Sequence, residues 1–279
     1  MKKINRRSFL AAAGLTAAAL ALTACGGSSS STASSTASSA AASSEAASSS
    51  AAAELTTVEA GKLTMATNAA FPPYEMTTDA GEFEGIDVDT AKAIAEKLGL
   101  ELQIDDMDFD AALLSVQQGK ADIVMAGVTV TDERKAVMDF SDSYATGIQS
   151  IIVPNDSDIA SPDDLAGKTI GTQRGTTGYI YCSDDFGDEN VVAYDDGLTA
   201  VQALNNGQVD AVVIDNAPAQ EFVAANPGLK VLDTSYAEED YAIGMAKGSA
   251  LEDAVNKALE ELKADGTLQA IVDKYINAN

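Results

Sequence analysis

The chain has 279 residues, and its 17 basic residues against 43 acidic residues give a formal net charge of −26 with no histidine. A surface this acidic repels phosphate groups, which argues against nucleic acid and anionic lipid as partners. Because histidine is missing, a Ser/His/Asp or Cys/His catalytic mechanism is excluded within this chain.

Residues 1–24 have the composition of a secretory signal peptide. They combine a basic start, an Ala/Leu-rich apolar run that is short for a membrane span, and small residues before Cys25. The segment LTAC at 22–25 resembles the bacterial lipobox, so we expect Cys25 to be acylated with palmitate and to anchor the protein in the lipid bilayer. NRRSFL at 5–10 also resembles a twin-arginine export signal, and both export routes stay open.

A low-complexity stretch follows the signal peptide. Residues 25–54 are almost entirely Gly, Ser, Ala and Thr, a composition that cannot bury a core and that predicts a flexible tether. About 225 residues remain from Leu55 onward, enough for one large domain or two lobes. If Cys25 is lipidated, no cysteine is left to pair with Cys182, so we expect a small buried hydrophobe there and no disulfide.

From residue 63 onward, strand-like runs alternate with helical runs. Two helices are predicted over 89–99 and 110–119, each ending at a glycine suited to a left-handed cap. Strands are predicted at 63–67, 102–107, 123–126, 150–153, 169–172, 191–193, 211–214 and 231–233. Alternation of this kind predicts layers of α/β structure.

An internal repeat relates two halves of this pattern. QQGKADIV at 117–124 and NNGQVDAV at 205–212 match at an offset of 88 residues, which makes Gly127 equivalent to Asp215. Both residues would follow buried strands, at the edge where open α/β sheets bind ligands. Arg134 comes shortly after Gly127, and its guanidinium suits a carboxylate group. Facing lobes would therefore form a cleft for a zwitterion.

Six motifs occur in an order that matches a known family. They are NAAFPPYE (68–75), GIDVDTAKAIAEKLG (85–99), MDFDAALLSVQQGKADIVMAGVTVTDERKAVMDFS (107–141), IGTQRGTTG (170–178), VDAVVID (209–215) and YAIGMAKGS (241–249). On these motifs, residues 63–275 resemble the extracellular solute-binding proteins of the polar amino acid ABC-importer family, which includes glutamine-, histidine- and lysine/arginine/ornithine-binding proteins.

The resemblance implies an α/β fold with two lobes, the Venus flytrap or type II periplasmic-binding-protein fold. Lobe 1 would comprise residues 55–144 plus 242–279, and lobe 2 residues 146–238, joined by a hinge of two strand-like crossings. A ligand bound between the lobes would stabilise the closed form that the permease recognises, because it shifts the hinge equilibrium.

The resemblance also implies roles for individual residues. Arg134 would hold the ligand carboxylate together with the Thr129 hydroxyl, and Asp215 would bind the α-ammonium. The full predicted set of ligand-binding residues is Asn68, Phe71, Phe109, Ala126, Gly127, Thr129, Arg134, Gln173, Thr176, Thr177 and Asp215. In this set a main-chain NH of Thr176 or Thr177 would complete the carboxylate shell, the Gly127 carbonyl would join Asp215, and Phe71 and Phe109 would sandwich the ligand side chain.

The residues themselves leave other interpretations open. Arg134 could lie in a solvated helix start, Asp215 could cap the following helix with its side chain, and Phe71, Tyr74 and Phe109 could belong to the core. Arg174 could reach an acidic substituent of the ligand, but we expect it to face solvent.

Three residues bear on specificity. Asn68 stands where basic-amino-acid binders and the glutamine binder of the family carry aspartate, and Gln173 and Ile214 stand where the glutamine binder carries lysine and histidine. Asn68 and Gln173 can each donate and accept hydrogen bonds, which predicts a ligand with an uncharged polar side chain.

The function expected from these observations is capture of a free amino acid for the permease subunits of an ABC importer, without cofactor, metal or catalysis. The protein would act as a monomer on the outer face of the cytoplasmic membrane. A lyase on the same fold, similar to cyclohexadienyl dehydratase, is an alternative that would need a general acid in the cleft. A tethered amino acid sensor is a further alternative.

Overall fold

The computed structural model describes residues 55–276. The predicted signal peptide, the lipidation of Cys25 and the tether over 25–54 all lie outside the described residues. No helix within 55–276 is long and apolar enough to cross a membrane.

Helices and strands alternate along the described chain. The strands are β1 Lys62–Thr67, β2 Ala70–Phe71, β3 Glu75–Thr77, β4 Phe83–Glu84, β5 Glu101–Asp106, β6 Ile123–Val124, β7 Met138–Phe140, β8 Ala145–Pro154, β9 Ile170–Gln173, β10 Val191–Tyr194, β11 Ala211–Asp215, β12 Leu229–Val231, β13 Ala237–Tyr241 and β14 Gly244–Ala246. The α-helices are α1 Ile86–Leu98, α2 Phe109–Gln117, α3 Asp132–Val137, α4 Thr177–Phe186, α5 Gly197–Asn205, α6 Asn216–Ala225, α7 Glu252–Ala264 and α8 Thr267–Tyr275.

The strands form two main sheets. One sheet has the order β5-β1-β6-β14-β7, the other has the order β10-β9-β11-β8-β12 with β13 also paired to β8, and β2, β3 and β4 form a small third sheet. The chain passes between the main sheets at β8 and returns at β13, and these strands pair antiparallel with Ala145 opposite Tyr241. This is the mixed α/β, two-lobed architecture of type II binding proteins. The lobe limits given above stay a prediction.

Several of the predicted element boundaries are wrong, including the start of β8, which lies at Ala145 rather than at residue 150. Helix α1 begins at Ile86 rather than Asp89, because the first turn already buries Ile86 and Val88 against the core. Strand β12 covers Leu229–Val231 rather than 231–233, because its register is set by antiparallel pairing of Leu229 with Pro154 on β8. Gly99, with φ of 70°, ends α1 in the predicted left-handed cap.

The internal repeat is also a structural repeat. Asp122 accepts the backbone N–H of Thr64 at 2.8 Å and donates its own N–H to the Thr64 carbonyl at 2.9 Å. In the other sheet, Asp210 exchanges the same two bonds with Thr169, each at 2.8 Å. The repeated aspartate therefore ties the start of its strand to a neighbouring chain segment in both halves.

Apolar side chains from both faces of each sheet form the core. In the second sheet, Ile151, Val153, Ile170 and Val213 are fully or almost fully buried together with Cys182 on α4. Cys182 therefore occupies the position of a small buried hydrophobe, as predicted.

Candidate functional site

One cavity lies where segments of the two main sheets meet. All eleven predicted ligand-binding residues line it, and the lining contains one residue that was not predicted from the sequence, Glu75. Tyr74 is not part of the lining. The structure thus brings together residues that are up to 147 positions apart in the chain, Asn68 and Asp215.

Arg134 is buried although its helix starts at the surface. Its neighbours Asp132 and Glu133 are exposed, whereas Arg134 is only 9% exposed. Its guanidinium donates from Nη1 to the Thr129 carbonyl at 2.8 Å and from Nη2 to the Gly175 carbonyl at 3.1 Å. Burial lowers its pKa, opposed by the nearby Glu239 carboxylate. The interpretation of Arg134 as part of a solvated helix start is therefore wrong.

The guanidinium also contacts an aromatic ring. Its central carbon lies 5.4 Å from the ring centroid of Phe109, within the range of a cation–π interaction. Because Phe109 begins α2 and Gly175 precedes α4, Arg134 links the walls contributed by the two main sheets.

Asp215 ends β11 and occupies the N-cap position of α6, but its side chain makes no capping bond. Its carboxylate instead accepts a hydrogen bond from Gln149 Nε2 at 2.8 Å and another from the Tyr241 hydroxyl. Burial raises the pKa of Asp215 to about 7, with the nearby Glu239 adding to the shift and the two donors opposing it. Asp215 therefore occupies the predicted N-cap position of α6, but its side chain makes no capping hydrogen bond there.

A second buried acid, Glu239 on β13, organises the threonines of the site. Its Oε2 accepts hydrogen bonds from Thr177 Oγ1 at 2.8 Å, Gln149 Nε2 at 3.0 Å and Thr129 Oγ1 at 3.2 Å. The Thr129 hydroxyl proton therefore points to Glu239, which leaves the Thr129 oxygen as an acceptor rather than a donor. Neither Glu239 nor Gln149 was predicted from the sequence.

Asn68 and Gln173 meet directly. Gln173 Nε2 donates to Asn68 Oδ1 at 2.8 Å and Asn68 Nδ2 donates to the Met107 carbonyl at 3.0 Å. Both side chains are buried and line the cavity. Arg174, by contrast, is exposed and lies 3.5 Å from the Asp195 carboxylate, as expected for a solvent-facing residue.

Three aromatic residues contact one another in series beside the cavity. Phe71 lies 5.8 Å from Tyr74 between ring centroids, and Tyr74 contacts Tyr241 edge to face at 5.3 Å. Of these three, only Phe71 lines the cavity. Tyr74 therefore belongs to the core and fixes the position of Phe71.

Glu75 and Asp87 form a buried pair of acids beside the cavity. Asp87 accepts the N–H of Gly127 at 3.0 Å and the hydroxyl of Tyr144 at 2.7 Å, and burial raises its pKa to about 6. Glu75 is 1% exposed, and burial together with the Asp87 carboxylate raises its pKa well above its ordinary value. Its signal in the sequence was a lone acid within the apolar motif FPPYEM.

No group of three or more potential metal ligands occurs within residues 55–276. The lining combines a buried cation, buried carboxyl groups, amides and an aromatic face, so the chemistry that the site offers is recognition. Such an arrangement suits a small molecule that carries both a positive and a negative charge.

Comparisons with known proteins agree with this arrangement. The sequence pattern described as bacterial extracellular solute-binding proteins, family 3, matches residues 63–278. The L-cystine-binding protein TcyJ of Escherichia coli is 33% identical over 225 residues, which cover 79% of this chain and 85% of that protein.

Two solved structures are similar over the same region. The arginine-, lysine-, histidine-binding protein ArtJ from Geobacillus stearothermophilus is 35% identical with a TM-score of 0.75, over 78% of this chain and 96% of that chain. An ancestral arginine-binding protein bound to glutamine is 41% identical with a TM-score of 0.75, over 78% of this chain and 99% of that chain.

Proposed function

The chain belongs to the bacterial extracellular solute-binding proteins of family 3, and we propose that its solute is a free α-amino acid, delivered to the permease of an ABC importer. The relatives that the chain resembles are solute-binding proteins, so the lyase alternative is set aside. The relatives compared above bind amino acids, which supports the proposed ligand class.

One observation carries the proposal: a buried guanidinium and a buried carboxyl group line the same cavity. Burial of a charge is costly unless a partner compensates it. An α-amino acid supplies a carboxylate for Arg134 and an ammonium group for Asp215, so both protein charges gain their partners from one ligand.

Other lining residues are assigned to the carboxylate and ammonium groups of the ligand. The N-terminus of α4 at Thr177 offers main-chain N–H groups to the carboxylate, where the helix dipole favours a negative charge. The Gly127 carbonyl is assigned to the ammonium group, as expected from the sequence. We also assign the Thr129 oxygen to the ammonium, because its proton is directed to Glu239.

The ligand side chain is assigned to the space beside Phe71, Phe109 and the Asn68–Gln173 pair. These amides are uncharged and retain unused hydrogen-bonding capacity, which favours an uncharged polar side chain. The ancestral protein bound to glutamine supports a ligand of this type. The same protein is described as arginine-binding, and TcyJ binds L-cystine, so ligands with other side chains are included in the thermal-shift screen.

Anchoring and cellular position belong to the proposal as well. A lipoprotein signal peptide over 1–24 and palmitate on Cys25 would hold a monomeric binding protein at the outer face of the cytoplasmic membrane, next to its permease. The family description as extracellular is in line with this position.

A thermal-shift screen tests the ligand class. The purified chain, stripped of bound ligand by unfolding and refolding, is mixed with each of the twenty amino acids, cystine and ornithine. A ligand that binds the folded state raises the midpoint of unfolding by mass action. No shift with any of them would refute the proposal.

Variants then test the site. Removal of either charged side chain leaves a charge of the ligand without its partner, at a cost of about 2 to 5 kcal/mol of binding free energy. Arg134→Ala and Asp215→Ala should therefore weaken binding by orders of magnitude. The matched control is Arg174→Ala, which removes an exposed arginine outside the cavity. Near-native affinity in a folded Arg134→Ala protein would overturn the site assignment.

A further inference from the structure

Glu239 contacts residues of the cavity lining without lining the cavity itself. It is 7% exposed and lies on β13, one of the two strands that cross between the main sheets. Glu238 and Asp240 are exposed, whereas Glu239 and Tyr241 are buried, because alternate side chains of a strand point to opposite faces. The crossing strand therefore directs a carboxylate toward the site, and the proposed function gives this carboxylate no role.

One oxygen of Glu239 accepts hydrogen bonds from three segments of the chain. Oε2 accepts the Thr177 hydroxyl at 2.8 Å, one N–H of Gln149 at 3.0 Å and the Thr129 hydroxyl at 3.2 Å. Thr129 follows β6 of one main sheet, whereas Gln149 lies on β8 of the other. Hydrogen bonds to a charged acceptor are about twice as strong as neutral ones, so the carboxylate fixes the direction of these donors.

Asp215 accepts the neighbouring protons that Glu239 does not. Its carboxylate accepts the second N–H of Gln149 at 2.8 Å and the hydroxyl of Tyr241. The Gln149 amide therefore bridges the two acids. Its orientation is fixed, because a reversed amide would place its oxygen against two carboxylates.

This distribution of protons gives one end of the cavity a single hydrogen-bonding polarity. The Thr129 hydroxyl directs its proton to Glu239, so the cavity meets its oxygen as an acceptor, and the Asp215 carboxylate lines the same cavity. Two acceptors require a ligand group that supplies the protons. An ammonium group supplies three N–H donors and a positive charge, whereas a hydroxyl group supplies one proton and no charge.

We propose that Glu239 is a positioning residue that makes the site select an α-ammonium group over an uncharged α-substituent. By accepting the protons of Thr129 and Gln149, it leaves acceptors alone for the ligand at this end of the cavity. Glu239 acts through Thr129 and Asp215 and does not touch the ligand. The inference rests on the proposed function, because it concerns the end of the cavity assigned to the ammonium group of an amino acid.

Loss of the Glu239 carboxylate should relax this selection. Methionine has a similar length but accepts none of the three protons, so the Thr129 hydroxyl is free to turn its proton toward the cavity. That proton opposes an ammonium N–H and suits a hydroxyl oxygen. Glutamine keeps an oxygen that accepts the threonine protons, but it lacks the charge. Glu239→Met should therefore change the selectivity more than Glu239→Gln does.

Isothermal titration calorimetry of the full-length chain compares amino acids with their α-hydroxy analogues. The probes are L-glutamine with L-2-hydroxyglutaramate, and L-arginine with L-argininic acid, so that only the α-substituent differs within a pair. The unaltered protein should prefer the amino acid by at least about a hundredfold. Glu239→Met should reduce this preference by at least about tenfold, and Glu239→Gln by about threefold. Titration at pH 8, above the pKa of about 7 for Asp215, keeps that carboxylate ionised.

The neighbouring exposed acid on β13 provides the matched control. Glu238→Met and Glu238→Gln should leave the preference unchanged. A purely structural role of Glu239 would weaken both members of a pair equally and keep their ratio constant. Glu239→Gln preserves the shape of the side chain, so the test does not depend on the folding of the methionine variant.

Two results would overturn the role of Glu239 and leave the proposed function standing. One is equal affinity of the unaltered protein for an amino acid and its α-hydroxy analogue. The other is a preference in folded Glu239→Gln that equals that of the unaltered protein. Absence of binding by any amino acid in the thermal-shift screen would overturn both the role of Glu239 and the proposed function.

Discussion

Replacement of Asp215 by asparagine should stabilise the ligand-free protein while it weakens ligand binding. The pKa of Asp215 is raised to about 7 in the folded protein, against an ordinary value of 3.8. A raised carboxyl pKa means that the folded state holds the proton more tightly than the unfolded chain. The contribution of the protonated Asp215 carboxyl to the free energy of unfolding is therefore fully present below pH 3.8 and is lost as the pH rises through 7.

The size of the effect follows from the shift. One pKa unit corresponds to about 1.4 kcal/mol, so ionisation of buried Asp215 costs the folded protein about 4 kcal/mol at pH 8. Asparagine avoids this cost and fits the same partners, because its Oδ1 can accept from Gln149 and its Nδ2 can donate to the Tyr241 oxygen. The free energy of unfolding of the variant should exceed that of the unaltered protein by about 4 kcal/mol at pH 8 and by about 2 kcal/mol at pH 5.

Urea unfolding of the ligand-free protein at these two pH values measures the difference. Asp87 titrates in both proteins, so its contribution cancels in the comparison. Asp156→Asn, the same change at an exposed position, serves as the control and should leave stability within about 0.5 kcal/mol. A variant that is less stable at pH 8, or a difference that does not change with pH, would refute the reasoning.

Three further predictions concern the anchor, the specificity and the hinge. Cys25→Ser should release the protein into the medium or leave an unprocessed precursor, because stable anchoring needs acyl chains on that residue; mature protein that still partitions into detergent would contradict the lipid anchor. Asn68→Asp should shift the preference toward cationic amino acids, because it adds a negative charge beside Gln173. The ratio of the arginine affinity to the glutamine affinity at one pH measures this shift, and an unchanged ratio would disprove the assignment of the ligand side chain to the space beside Asn68 and Gln173. Gly147→Ala would place a Cβ 2.5 Å from the Tyr241 ring, so it should cost about 1 to 3 kcal/mol of unfolding free energy and weaken ligand binding through Asp215. Gly228→Ala, whose Cβ meets nothing within 4 Å, is its control, and equal stability of the two variants would argue against the contact.

The sequence by itself determined the class of fold and most of the cavity lining. Alternating strands and helices and the repeat at Gly119 and Gly207 are local patterns, and both glycines adopt the positive φ that such turns require. Arg134 could be distinguished from Arg174 because glycine and hydroxyl residues precede it in the chain. The strands, helices and turns can be read locally, because each depends on the intrinsic preferences of a few neighbouring residues, whereas the lining residues followed from the resemblance of the ordered motifs to a known family.

Only the tertiary structure decided which acids are buried at the site. Glu239 lies in the segment EEDY, which alternates like an exposed strand, and it is buried because β13 pairs with β8 at the crossing between the sheets. Gln149 and Tyr241 reach Asp215 for the same reason, from positions 66 and 26 residues away. The pKa of Glu75 is raised first by burial and then by Asp87 on α1 and Asp215 on β11, which belong to other elements of the fold. Burial and charge coupling depend on contacts between distant segments, so no local pattern could have indicated them.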